Sequence, residues 1–314
     1  MICYFSHIVV SFNMKLFTLS FISAIYLSLA EGITLQSVFD AAGPENGYDK
    51  YLVLEQNMIY TGEVGVYEGD VFIEGNGAIV DLNEGLGIWV YAEEAYPANL
   101  DIEFVTIING GYNALTFNGT ATGNISNCNF ISNLFGIQIM DDVNISVKNC
   151  NFIDNSQYGI AVRGTTATLE EINHSNFWEN ELGAGGYNEN CWGLTWVPLE
   201  LEGSGLIEDD PLFVNQNTWD FSYEYNSPCI DAGDPGDTVD PDGSTRDIGA
   251  HWYGDETGPG DCNADGIQNV LDVVYLINDC ILDGSNDCNC GDLNEDGNVN
   301  VLDVVLLVNS ILEV

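Results

Sequence analysis

Two twelve-residue stretches carry oxygen-bearing side chains on alternate positions. Asp261 to Asp272 reads DCNADGIQNVLD, and Asp292 to Asp303 reads DLNEDGNVNVLD. In the first, Asp261, Asn263, Asp265, Asn269 and Asp272 take places 1, 3, 5, 9 and 12. In the second, Asp292, Asn294, Asp296, Asn300 and Asp303 take the same places. Place 6 is Gly266 or Gly297, which permits a sharp turn. Place 7 is Ile267 or Asn298, whose backbone carbonyl would serve. Calcium takes roughly six to eight hard oxygens, and alternate residues of a tight loop can turn inward together. The pattern predicts two Ca2+ ions, one per loop. From Asp261 onward there are 11 acidic residues and no Lys or Arg, so the metal-free loops would repel themselves open.

A second constellation joins Arg163 to Asp141 and Asp142. A guanidine can take a proton beside a uronate carboxylate, and paired acids can bind calcium or serve as acid and base. The competing reading is an ion pair on the outside of the fold, since structural charge clusters are common. Asp101, Glu103, His174 and His251 rank below this set, and His174 reads as a turn residue.

The elements that must hold these residues follow from repeats. Gly87-Ile-Trp-Val90, Ala114-Leu-Thr-Phe117, Gly136-Ile-Gln-Ile139 and Gly159-Ile-Ala-Val162 lie 27, 22 and 23 residues apart. Each alternates apolar residues at period two, the mark of a strand with one buried face. Asn127-Cys-Asn-Phe130, Asn149-Cys-Asn-Phe152 and His174-Ser-Asn-Phe177 form a second series, each with an asparagine three residues on, at Asn133, Asn155 and Asn180. Asn and Gly between the strands mark turns, because both tolerate left-handed backbone. A period near 22 is too short for a propeller blade and fits one rung of a parallel β-helix, with rungs about 4.8 Å apart. Phe130 would then sit on Phe152, Cys128 on Cys150 and Asn133 on Asn155, and Met140 would lie beside Arg163. Trp89 and Tyr91 would point outward, where they could stack on sugars or be ordinary surface aromatics.

These coils resemble the right-handed parallel β-helix proteins of the pectin-lyase-like superfamily. VFIEGNGAIVDL (Val71 to Leu82) is similar to their first rungs. DPLFV (Asp210 to Val214), SPCIDAGDP (Ser227 to Pro235) and TRDIGAHWYG (Thr245 to Gly254) are similar to the closing section of many exported bacterial members. The paired acidic loops, each followed by an apolar helix, resemble type I dockerin across 261–314. Apolar faces made of Val270, Val273, Val274 and Ile277, and of Val301, Val304, Val305 and Val308, are expected to pack on each other. That resemblance implies a cohesin-like partner or cell-surface scaffold. It puts partner choice at places 10 and 11, here Val270, Leu271, Val301 and Leu302, where many dockerins carry small hydroxyl residues.

With 49 Asp and Glu against 5 Lys and Arg, the formal charge of −44 excludes phosphate-led binding of nucleic acid and disfavours polyuronates that calcium does not bridge. Met14-Lys15 precedes LFTLSFISAIYLSLA, which ends in the small residues Ser28 and Ala30. This pattern predicts a signal peptide over 1–30, with translation starting at Met1 or Met14; a membrane anchor is the alternative. Export permits disulfides, with zinc as the rival use of the cysteines crowded at Cys262, Cys280, Cys288 and Cys290. The expected chain is thus an all-β right-handed parallel β-helix (31–254), a linker (255–260) and a small all-α calcium module (261–314). By the dockerin resemblance it would be a secreted glycoside hydrolase or lyase acting on polysaccharide. A non-catalytic adhesive protein attached through its tail is the alternative.

Overall fold

The computed structural model describes residues 33–312 apart from 57, 168, 191, 192, 194, 255–259, 263–267, 283–288, 295 and 296. The expected signal peptide, Cys288, most of the linker, and the calcium-loop residues Asn263, Asp265, Ile267 and Asp296 lie outside the described residues.

A short helix, α1 (Leu35–Ala41), comes first. Thr34 caps it by accepting the Ser37 N–H at 3.2 Å, and Leu35 enters the core. Six rungs follow. The first is β1 (Lys50–Val53), β2 (Ile59–Thr61) and β3 (Val64–Val66). The second is β4 (Gly69–Asp81) and β5 (Ile88–Ala92); the third is β6 (Ala98–Ile108) and β7 (Asn113–Gly119). The fourth is β8 (Thr122–Ser126), β9 (Asn129–Ile131) and β10 (Phe135–Met140). The fifth is β11 (Asn144–Lys148), β12 (Asn151–Ile153) and β13 (Tyr158–Arg163). The sixth is β14 (Glu171–Asn173), β15 (Asn176–Trp178) and β16 (Gly183–Asn188). Each strand pairs in parallel with its counterpart one rung on, which gives three faces. The long strands β4 and β6 run through a corner and pair on both the first and the second face. The third face runs from β3 to β16, and β17 (Val197–Leu199) closes it antiparallel.

Like residues stack on like, as the repeats require. Ile88, Leu115, Ile137 and Ile160 are successive partners on the third face, all fully buried. Phe130, Phe152 and Phe177 stack with ring centroids 5.0 and 4.8 Å apart. In the second to sixth rungs the first corner is turned through a left-handed residue: Asn76, Phe104, Asn127, Asn149 and His174, with φ of 44–52°. At the next corner Asn133, Asn155 and Asn180 form the expected ladder. Asn155 Oδ1 accepts the Asn133 N–H at 3.1 Å, and Asn155 Nδ2 donates to Asn180 Oδ1 at 2.8 Å. Cys128 and Cys150 are buried free thiols, as is Cys229.

Residues 200–254 return over the second face. The hairpin β18 (Phe213–Asn215) and β19 (Asp220–Tyr223) brings Phe213, Trp219 and Phe221 onto the outward column Ile108, Ile131 and Ile153. The neighbouring outward column, Asn129, Asn151 and Asn176, is fully buried and bonds to the returning chain. Asn151 Nδ2 donates to Tyr223 Oη at 2.8 Å, and Asn176 exchanges two hydrogen bonds with the Asp209 backbone.

In the tail, α2 (Val270–Tyr275) continues as a wider helical turn to Leu282, and α3 (Val301–Leu312) follows the second acidic loop. A disulfide joins Cys262 to Cys290, and Cys280 is also disulfide-bonded. The helices pack through Val273, Leu276, Cys280, Val304, Leu307 and Ile311. This corrects the expected apolar faces: Val270, Val274, Ile277, Val301 and Val305 are exposed. The reason lies in the loop-closing acids. Asp272 and Asp303 are fully buried, and each accepts backbone N–H groups of its own loop. With the acid turned inward, the residues four places on, Leu276 and Leu307, must follow it into the core.

Candidate functional site

The three outer faces differ in access. The second lies under the returning chain. The third is partly covered by Gly193 and residues 195–199, where Trp196 packs 5.1 Å from Phe135 and 6.1 Å from Tyr158. The first keeps its outer side chains, among them Asp70, Thr122, Asn124 and Asn144, open to solvent.

That open face carries carboxylates beside aromatic rings. Glu74 and Glu103 are register partners on β4 and β6, and Phe72 and Asp101 are partners one outward position earlier. Neighbouring strands are about 4.8 Å apart, so the two glutamates stand side by side. Tyr51 Oη donates to Glu74 Oε2 at 2.9 Å, and Tyr48 Oη donates to Asp101 Oδ2 at 2.7 Å. Tyr51 stacks on Phe72 at 4.9 Å, and Tyr48 lies 5.1 Å from the same ring. Cations border the group. Lys148 Nζ meets Asp237 Oδ2 at 2.7 Å, and Arg246 Nη1 meets Asp240 Oδ1 at 2.9 Å.

Burial raises the Glu103 pKa, and the Glu74 charge raises it further; Arg246 and Lys148 pull the other way. Two neighbouring carboxyl groups, one with a raised pKa, are the arrangement that general acid–base chemistry on a glycosidic bond uses. Asp101 and Glu103 were candidates from sequence, but Glu74 was not. The signal that finds it is the alignment of IEG in Ile73-Glu-Gly75 with Ile102-Glu-Phe104, which needs the register of β4 on β6.

Met140 is indeed the partner of Arg163 on the third face. Asp141 takes the left-handed turn position after β10, and Asp142 beside it is exposed. The Arg163 side chain is turned toward the covering segment. Its Cζ lies 4.7 Å over the Trp196 ring, and Nη1 donates to the Gly193 carbonyl at 3.3 Å. Burial there lowers the Arg163 pKa from its usual range. Trp89 and Tyr91 are half-buried on the outer side of the third face, with Trp89 stacked on Tyr112 at 6.5 Å.

The closing section holds two buried titratable groups of opposite sense. Burial pushes Asp247 up to about 7, although its carboxylate accepts the Asp231 N–H at 2.7 Å and the Tyr253 N–H at 2.5 Å. Burial pulls His251 down to about 4, with Asp220 opposing. The folded state keeps a proton on Asp247 that the unfolded chain has shed, so that contribution is present below about pH 4 and lost as pH rises through 7. The His251 contribution is present above pH 6.5 and lost as pH falls through about 4. Asp247→Asn should therefore flatten the fall in melting temperature between pH 5 and pH 7.5. An unchanged slope in thermal scans would show that Asp247 is ionised throughout.

In the tail, Asp261 is buried, and of the other expected calcium ligands Asn269, Asp272, Asp292, Asn294, Asn298, Asn300 and Asp303 are described; among the described residues no group of three or more His, Cys, Asp or Glu is placed to hold a metal ion. Asp272 Oδ2 accepts the Asn269 N–H at 2.7 Å and Asp303 Oδ2 accepts the Asn300 N–H at 2.8 Å, which closes each loop onto its helix. Beyond each loop, Val270, Leu271, Val274 and Tyr275 on α2 and Val301, Leu302, Val305 and Leu306 on α3 are exposed.

No curated protein matches the chain. Residues 52–192 match the family model described as right handed beta helix region, which spans nearly all of the six rungs. A β-helix of this kind fits a polysaccharide-related protein in general terms. Family match and parallel register together make residues 52–192 a right-handed parallel β-helix.

Proposed function

We propose that this is an exported protein that acts on extracellular polysaccharide through the open first face of its β-helix and is anchored by its tail. The observation that carries the first half is the Glu74–Glu103 pair, which stands one rung apart beside Tyr48, Tyr51 and Phe72 on the face with the most open outer side chains. In this reading Glu103, whose pKa is raised by burial and by the Glu74 charge, donates a proton to the leaving sugar oxygen, and Glu74 serves as its partner. The aromatic rings would hold sugar faces in place.

The tail would be a dockerin-like module. Asp261, Asn263, Asp265, Ile267, Asn269 and Asp272 would hold one calcium ion, and Asp292, Asn294, Asp296, Asn298, Asn300 and Asp303 the other. Bound calcium supplies positive charge that lets these acids converge. The doubled apolar patch, with Val270 64% and Val301 66% exposed at equivalent places, is the surface offered to a cohesin-like partner or scaffold.

Two alternatives have specific support. The lowered Arg163 pKa is the direction a proton-abstracting guanidine needs, with Asp141 and Asp142 one rung away. The cover that Trp196 forms over Arg163 instead favours a packing role, and with it a non-catalytic adhesive protein. A screen for reducing sugars and unsaturated products on plant and algal polysaccharides separates them. Glu103→Gln should cut turnover at least about a hundredfold with binding intact. If turnover survives in Glu103→Gln and falls in Arg163→Ala, the active group is on the third face. Binding without any product leaves the adhesive role.

A further inference from the structure

A cavity of ≈1020 Å³ opens at the corner where the third face of the first rungs gives way to the first face. It is lined by Tyr67, Tyr91 and Tyr96, with Asp49, Glu68 and Glu93 among them. It adjoins the open face, because Asp49 lines it and the neighbouring Tyr48 bonds Asp101. The volume is at the upper end for a small-molecule pocket, enough for a segment of polymer rather than a single small solute.

Its rings are presented, not tucked away. Tyr67 is 63% exposed and Tyr96 59% exposed. Both are set by local backbone. Gly65 has no side chain, and a Cβ there would collide with the Tyr67 ring, so that ring can lie flat against β3. Tyr96 sits on a two-residue turn, in which its N–H donates to the Glu93 carbonyl at 2.9 Å and the Glu93 N–H donates to its carbonyl at 3.1 Å. Tyr91 Oη donates to Glu93 Oε1 at 2.6 Å, which fixes ring and carboxylate together. Rings held on such supports lose little freedom when a ligand stacks on them.

The charge around the rings selects the ligand. Three carboxylates face one cation in the lining, Lys50. The Lys50 ammonium is already engaged, donating to the Phe39 carbonyl at 2.7 Å and the Ala42 carbonyl at 3.2 Å, 4.6 Å from the Phe39 ring. A uronate carboxylate would meet three carboxylates against a single ammonium that is already hydrogen-bonded elsewhere. Hydroxyl groups of an uncharged sugar would find acceptors in Asp49, Glu68 and Glu93 and flat apolar rings between them.

We infer that this cleft is a binding subsite for the uncharged sugar units of a polysaccharide chain. The inference rests on the polysaccharide reading above and narrows it from polysaccharide in general to neutral glycan. Affinity electrophoresis of the full chain through gels containing glucomannan, xyloglucan or polygalacturonate tests it. The expected result is retardation by a neutral polymer and not by polygalacturonate, with Tyr67→Ala and Tyr96→Ala each weakening retardation about tenfold. Melting temperatures equal to the parent would show that these exposed substitutions leave the fold intact. Retardation by polygalacturonate alone would overturn the inference and leave the general reading standing. So would neutral retardation unchanged in the tyrosine variants, which would move binding to the first face. Retardation by none of the three would overturn both.

Discussion

Phe152→Ala should destabilise the β-helix by about 3–5 kcal/mol, the usual cost of emptying a buried aromatic site. Phe152 is fully buried and stacks on Phe130 at one side and Phe177 at the other, at 5.0 and 4.8 Å. Removing it takes away both ring pairs and opens a void at the middle of the column. The void cannot close easily, because strands of adjacent rungs are fixed by parallel hydrogen bonds on all three faces. Phe177→Ala should cost less, since that ring is stacked on the Phe152 side and is slightly exposed. Urea unfolding followed by tryptophan fluorescence gives both values. A Phe152→Ala loss under about 1 kcal/mol would mean that the interior is not a continuous ring stack.

Calcium should have the other large effect. The fully buried Asp272 and Asp303 carboxylates, the buried Asp261, and a tail without any Lys or Arg give the acidic loops no other counter-charge of their own. Calcium at about a thousand times its dissociation constant should stabilise each loop by about 4 kcal/mol. The Cys262–Cys290 bridge ties the start of the first loop to the approach to the second. It limits how far the metal-free loops can open, so the shift on adding EDTA should grow once the disulfides are reduced. Equilibrium dialysis of the full chain should find two ions, falling to one in Asp272→Ala and one in Asp303→Ala. Thermal scans with calcium and with EDTA that superimpose, in reduced protein, would remove calcium from the account of the tail.

The rungs were readable from sequence because their physics repeats at short range. Ile137 and Ile160 are buried by the same alternation and stack on each other by the same spacing, so each rung predicts the next. The small residues Gly136 and Gly159 that begin those strands leave the room that the rings of Phe152 and Phe177 fill. Corner asparagines such as Asn127 and Asn149 announce left-handed turns by type, whereas Phe104 in the same place does not.

Access to the three faces was not readable. It depends on contacts between residues far apart in the chain, such as Asn151 with Tyr223 and Arg163 with Trp196, for which no local period exists. The Glu74–Glu103 pair was hidden for a related reason: two acids 29 residues apart become neighbours only through the register of one long strand on another. In the tail the helices were readable from sequence, but their inward sides were misassigned. Apolar spacing alone allows several helix rotations, and the inward carboxylates of Asp272 and Asp303 select one. What alternation and repeat length determine is which residues make a coil. What tertiary structure decides is which of the outward residues remain available to a ligand, because covering a face is a long-range event.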